Sequence, residues 1–123
     1  MQDALNAAGN PIPQWEAADF LVDTGASVSG ICATIASKIG LVSHSVTPIA
    51  TPSTGNSPVM CKTYDVALFI PGPSRGKGHM EELVTMIESD YSSHSIDGLL
   101  GRDVLGSCVL TYIGQQDRFI LSY

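Results

Sequence analysis

Phe20-Leu21-Val22-Asp23-Thr24-Gly25-Ala26-Ser27 is the stretch on which the reading of this 123-residue chain turns. The apolar run Phe20–Val22 predicts a buried strand that delivers one acidic residue, Asp23, straight into a turn. Gly25 permits a backbone conformation and a close approach that a side chain would block. The Thr24 hydroxyl can bond backbone or carboxylate and fix the loop. Small residues continue from Ala26 to Gly30 and allow close packing. Asp before Gly is common in ordinary turns, so the surroundings decide what Asp23 means.

Downstream, Cys32, Ile35, Ala36 and Ile39 follow the i, i+3, i+4, i+7 pattern of one helical face. Gly40 reads as the C-terminal cap, with Leu41 able to pack back on the last turn. Val46–Ala50 and Val59–Cys61 flank a segment dense in turn formers, residues 51–58, which predicts a hairpin with a mobile tip. Tyr64–Ile70 reads as another strand, with Val66, Leu68 and Ile70 on one face and Ala67 and Phe69 on the other. A loop over Pro71–Gly78, a strand over Leu83–Ile87 and a polar loop over Ser89–Ser95 come next. Val109–Ile113 and Phe119–Tyr123 are strands about a turn at Gly114–Asp117, and Gly9-Asn10-Pro11 is a turn signal upstream. Many short strands with one or two short helices predict a single, mostly-β domain over residues 1–123.

The second decisive segment is Ile96-Asp97-Gly98-Leu99-Leu100-Gly101-Arg102-Asp103-Val104-Leu105, apolar residues and a glycine running into a short helix. With Asp23-Thr24-Gly25-Ala26-Ser27 on one side and Leu99-Leu100-Gly101-Arg102-Asp103 on the other, the chain resembles the retropepsin-like aspartic proteases from about Phe20 to its C-terminus. That resemblance implies a closed β-barrel active as a homodimer, with Asp23, Thr24 and Gly25 catalytic. It implies that Ala26, Ser27 and the hairpin residues Ser53, Thr54 and Gly55 contact an extended peptide or polyprotein substrate. It also implies that Thr24 braces the paired loops, that the hairpin is a flap, and that the terminal strand lies at the dimer boundary. No cofactor or metal is implied.

The chemistry supports these residue types independently. Hydrolysis of an amide without metal or covalent intermediate needs a base to activate water and an acid to protonate the nitrogen. Two carboxylates sharing one proton do both. The chain holds one Asp-Thr-Gly and no Asp-Ser-Gly, so the pair requires two chains and a two-fold axis between two Asp23 residues. Asp97 and Asp103 read as a turn residue and a cap or ion-pair partner of the short helix. Arg102 reads as a prop that pairs with an acidic group or backbone carbonyl under the loop.

Composition excludes other classes. A net charge of −6 with scattered basic residues disfavours nucleic acid. No apolar stretch is long enough for a membrane span, and no signal peptide is visible. Only 15% of residues are charged, which suits a large subunit interface. Cys32, Cys61 and Cys108 are an odd set without ligand spacing, read as reduced, buried thiols in a cytoplasmic setting. His44, His79 and His94 are isolated and read as solvated. Gly72–Gly78 misses the phosphate-loop spacing, and Ser27 lacks the final glycine of a nucleophile elbow. Two rivals share the motif: a peptide-binding dimer of the same fold without turnover, and a half-protease that works inside a larger polyprotein or hetero-assembly.

Overall fold

Strand β1 (Phe20–Val22) does not pair with the strand that follows it in sequence. In a computed structural model, which describes residues 15–43, 45–49, 57–74 and 77–123, its neighbour is β6 (Gly98–Leu100), and the two run parallel. On its other side β6 pairs antiparallel with β2 (Gly30–Ile31), so the distant segment is inserted between the two arms of the Asp23 loop. Gly98 makes the insertion possible, since a Cβ there would strike the Gly30 carbonyl and approach the Phe20 ring within 2.7 Å. The sheet continues through β5 (Gly78–Glu88), β4 (Val59–Pro71) and β3 (Ser45–Ile49), in the order β1-β6-β2-β5-β4-β3. It is a curled half-barrel in a molecule with 47% strand and 16% helix. A separate antiparallel ribbon joins β7 (Val109–Ile113) to β8 (Arg118–Ser122).

Helix α1 (Ala33–Lys38) follows β2 and buries Ile35 and Ala36. Full burial of an Ile side chain stabilises by about 1.5–3 kcal/mol. Gly40 ends the helix at φ +74°, with its N–H donating to Ser37 O at 3.1 Å and the Leu41 N–H donating to Ala36 O at 2.9 Å. This is the bonding pattern of a left-handed glycine cap, and Leu41 packs on the core as the sequence implies. Helix α2 (Arg102–Leu105) seats Val104 and Leu105 in the interior. The core gathers Ile31, Ile35, Ala36, Tyr64, Val66, Val84, Met86, Leu100 and Val104.

Several expectations need correction. β1 is not wholly buried, because Leu21 on its second face is 51% exposed. The segments Val59–Cys61 and Tyr64–Ile70 are one strand of 13 residues, bent by an irregularity between Val66 and Leu68. β5 begins at Gly78 rather than Leu83, because its ladder with β4 continues to the pair Pro71 and Gly78. The three cysteines are free thiols but only half-buried. The hairpin predicted around residues 51–58 has its two arms, paired from Ser45 with Thr63 to Ile49 with Val59. Ser53, Thr54 and Gly55 at its tip, the turn at Gly9-Asn10-Pro11 and His44 lie outside the described residues. Among those described, no helix is long and apolar enough to cross a membrane.

Candidate active site

Asp23 stands one residue beyond β1, and its N–H still donates to Leu100 O at 2.9 Å, extending the β1–β6 ladder to the point of the turn. Its side chain is then fixed locally. The Gly25 N–H donates to Asp23 Oδ1 at 2.9 Å, and a Cβ on residue 25 would sit 3.2 Å from that oxygen. Glycine therefore leaves the carboxylate reachable from one side while an amide holds it from the other. Asp23 and Ala26 are half-buried, whereas Thr24, Gly25 and Ser27 are exposed. These five residues follow one another in the irregular segment that leaves β1.

The loop is tied from beneath by the Gly101–Asp103 segment. Arg102 donates twice, from Nη1 to Thr24 O at 2.7 Å and from its N–H to Ala26 O at 2.8 Å. The carbonyl partner expected for Arg102 is thus the one found. Gly101 approaches so closely that a Cβ would lie 2.7 Å from the carbonyl of Val28 and 2.9 Å from Ala26 O. Ser29, fully buried, is the pivot. Its Oγ accepts the Gly101 N–H at 2.9 Å and donates to Asp103 Oδ1 at 2.6 Å, while its own N–H donates to Asp103 Oδ2 at 3.0 Å. Asp103 also accepts the Val104 N–H at 2.9 Å. It is structural, as expected, but its partner is a serine 74 positions away rather than a cation.

Asp97 likewise does more than shape its own turn. Its Oδ2 accepts the Asp19 N–H at 2.8 Å, its N–H donates to Asp19 O at 2.8 Å, and its carbonyl accepts the Cys32 N–H at 2.8 Å. The residue thereby joins the entrances of β1, β6 and α1. Sequence reasoning missed Ser29 altogether. The available signal was a polar side chain in a run of small residues leading into the buried pair Gly30-Ile31.

Two further groups lie apart from Asp23. His79 is not simply solvated: its Nε2 meets Glu81 Oε1 at 2.8 Å, and its ring stacks on Tyr123 with centroids 5.1 Å apart. That hydrogen bond is the main reason the Glu81 carboxyl is held below its ordinary range. A cavity of about 500 Å³ opens between the sheet and α1 and is lined by Trp15, Phe20, Ile35, Leu41, Leu68 and Met86. Asp23 does not line it, so the cavity belongs to the core face and not to the carboxylate. No protein-family model matches the chain, and comparisons with curated proteins and with solved structures find no match.

Proposed function

We propose that the chain is an aspartic endopeptidase of the retropepsin type, active as a homodimer that pairs two Asp23 carboxylates. The observation that carries this reading is the support beneath Asp23. A single reachable carboxylate sits on a turn whose carbonyls and amides are taken up by Arg102, Gly101, Ser29 and Asp103. Such stiffness suits a group that must hold a water and a scissile carbonyl in one geometry. An ordinary surface turn has no need of it.

In the dimer the two carboxylates share one proton. The ionised one draws a proton from the water that attacks the peptide carbonyl, and the protonated one donates to the departing nitrogen. The Thr24 side chain braces each loop against its copy. Ala26 and Ser27 line the floor under the peptide, and the hairpin carrying Ser53, Thr54 and Gly55 closes over it. The apolar ribbon supports the association. Val109, Tyr112, Phe119, Ile120 and Tyr123 are all at least 45% exposed, an apolar surface suited to burial between subunits.

The test is cleavage of an unfolded protein or peptide library between about pH 4 and 7, beside Asp23→Asn. Cleavage by the wild-type chain and none by the variant is expected, with a dimer in sedimentation. Undiminished cleavage by Asp23→Asn would sink the mechanism. Peptide binding without cleavage by either protein would favour the non-catalytic dimer instead.

A further inference from the structure

The strand registers sort the sheet into two faces. Val22, Leu100, Ile31, Met86 and Tyr64 face the core, while their neighbours Leu21, Leu99, Gly30, Ile87 and Thr63 form the opposite face. Asp23 follows Val22 on a continued ladder, so strand alternation directs it to that second face. Gly30 is the gap on this face, and it is filled from elsewhere. A Cβ on residue 30 would collide with the Tyr91 hydroxyl, lie 3.2 Å from Tyr91 Cζ and lie 3.3 Å from Ile87 O.

Tyr91 comes from the polar stretch after β5, yet it is only 9% exposed. Its backbone is set by the 3-10 turn at Ser92–His94, where the His94 N–H donates to Tyr91 O at 3.0 Å. On the preceding side the Ser89 N–H donates to Ile31 O at 3.1 Å, which brings the loop back over β2. Burial pushes the Tyr91 phenol up, against a hydrogen bond with Ser89 that pulls it down.

Gly30 lies two strands across from β1, and Asp23 lies two residues along from the Leu21 register. Strand spacings of about 4.8 Å and rises of about 3.3 Å put the two Cα atoms roughly 12 Å apart. That is three to four residues of extended peptide, so Tyr91, packed on Gly30, lies within a few residues' reach of Asp23 along the same face.

Resting on the protease reading above, we infer that Tyr91, packed over Gly30, closes one substrate pocket beside Asp23 and restricts that position to Gly, Ala or Ser. The ring takes the volume that a larger substrate side chain would need. The hydroxyl supplies a polar floor that favours Ser over Ala. Tyr91 acts on specificity alone and takes no proton in the reaction.

The experiment is digestion of a randomised peptide library by the wild-type chain, Tyr91→Ala and Tyr91→Phe, with cleavage sites read by mass spectrometry and folding checked by circular dichroism. Wild-type cuts should show small residues at one position within four residues of the scissile bond. Tyr91→Ala should raise kcat/KM for Leu or Phe at that position by about tenfold or more, as pocket-volume changes of this kind do. Tyr91→Phe should keep the size limit and lose the preference for Ser over Ala, which supports the inference even if the alanine variant does not fold. Wild-type cleavage with bulky residues at every such position would overturn it. So would a folded Tyr91→Ala with the wild-type profile, or a Tyr91→Phe that keeps its preference for Ser. Absence of cleavage by the wild-type chain would overturn the protease reading and this inference together.

Discussion

Replacing Asp103 by alanine removes the carboxylate that holds the buried Ser29 through two hydrogen bonds, at 2.6 and 3.0 Å. Hydrogen bonds to charged groups contribute about 1.5–3 kcal/mol each. Asp103 itself is exposed, so solvent screening brings that down to about 1 kcal/mol per bond. The N–H of the buried Ser29 loses its acceptor, which adds about 1 kcal/mol. Asp103→Ala should then cost about 3 kcal/mol, or roughly 12 °C in Tm for a domain of this size. Ser29→Ala leaves the Gly101 N–H without its acceptor and should cost about 2 kcal/mol. Both changes delete the same Oγ–carboxylate bond, so the double variant should cost about 4 kcal/mol rather than 5, a coupling of about 1 kcal/mol. Urea unfolding followed by far-ultraviolet circular dichroism, at one protein concentration throughout, measures all three. An Asp103→Ala loss below about 0.5 kcal/mol, with strictly additive costs, would refute the reasoning that Asp103 anchors Ser29.

Gly101→Ala drives a Cβ into the backbone of Val28 and Ala26 and should destabilise by about 3 kcal/mol or more, read as a large fall in the urea midpoint. Gly40→Ala meets no atom of the described residues within 4 Å and should cost the left-handed strain, about 1 kcal/mol, by thermal denaturation. Arg102→Ala removes the 2.7 Å bond to Thr24 O at an exposed site. It should change stability by about 1 kcal/mol or less but lower kcat at least tenfold, because the loop loses its stiffening. The Glu81 carboxyl has its folded pKa held below the ordinary 4.5, so its contribution to stability is full above 4.5 and fades as pH falls through the folded value. Glu81→Gln should therefore flatten the acid limb of a stability–pH curve below pH 4.5.

What could be read from sequence was what is encoded locally. The helix from Ala33 to Lys38, its Gly40 cap and the returning Leu41 are set by residues within one turn of each other, and spacing alone finds them. The turn at Asp23 is similar, because the bond from Gly25 to the carboxylate spans two residues. Ser29 and Asp103 were not legible as a pair, since 74 residues separate them and either is an unremarkable polar residue by itself. The early start of β5 was hidden by a stretch rich in Gly, Arg and Lys. Yet His79 and Glu81 are half-buried while Met80 and Glu82 are exposed, an alternation present in the chain once a strand is supposed. Tyr91 was masked by its polar neighbours, and its burial depends on a missing side chain at Gly30, on another strand.

The insertion of β6 explains why so much support converges under one acidic side chain. The segment from Asp23 to Ser29 leaves β1 and must rejoin the sheet as β2, two positions away, because β6 occupies the slot between. A crossing of that kind takes the backbone out of any ladder, so its polar groups need other partners. The end of β6 and the start of α2 provide them: Arg102 takes the carbonyls of Thr24 and Ala26, and Ser29 and Gly101 bond each other. The same geometry forbids side chains at Gly98 and Gly101, which is why a Gly-Leu-Leu-Gly segment stands opposite Asp-Thr-Gly. Asp97 and Asp103 are committed to backbone and serine partners, so neither is free to serve as a second acid. On the proposed reading, the other half of a two-carboxylate mechanism at Asp23 comes from a second copy of the chain, and dimerisation and activity should be lost together.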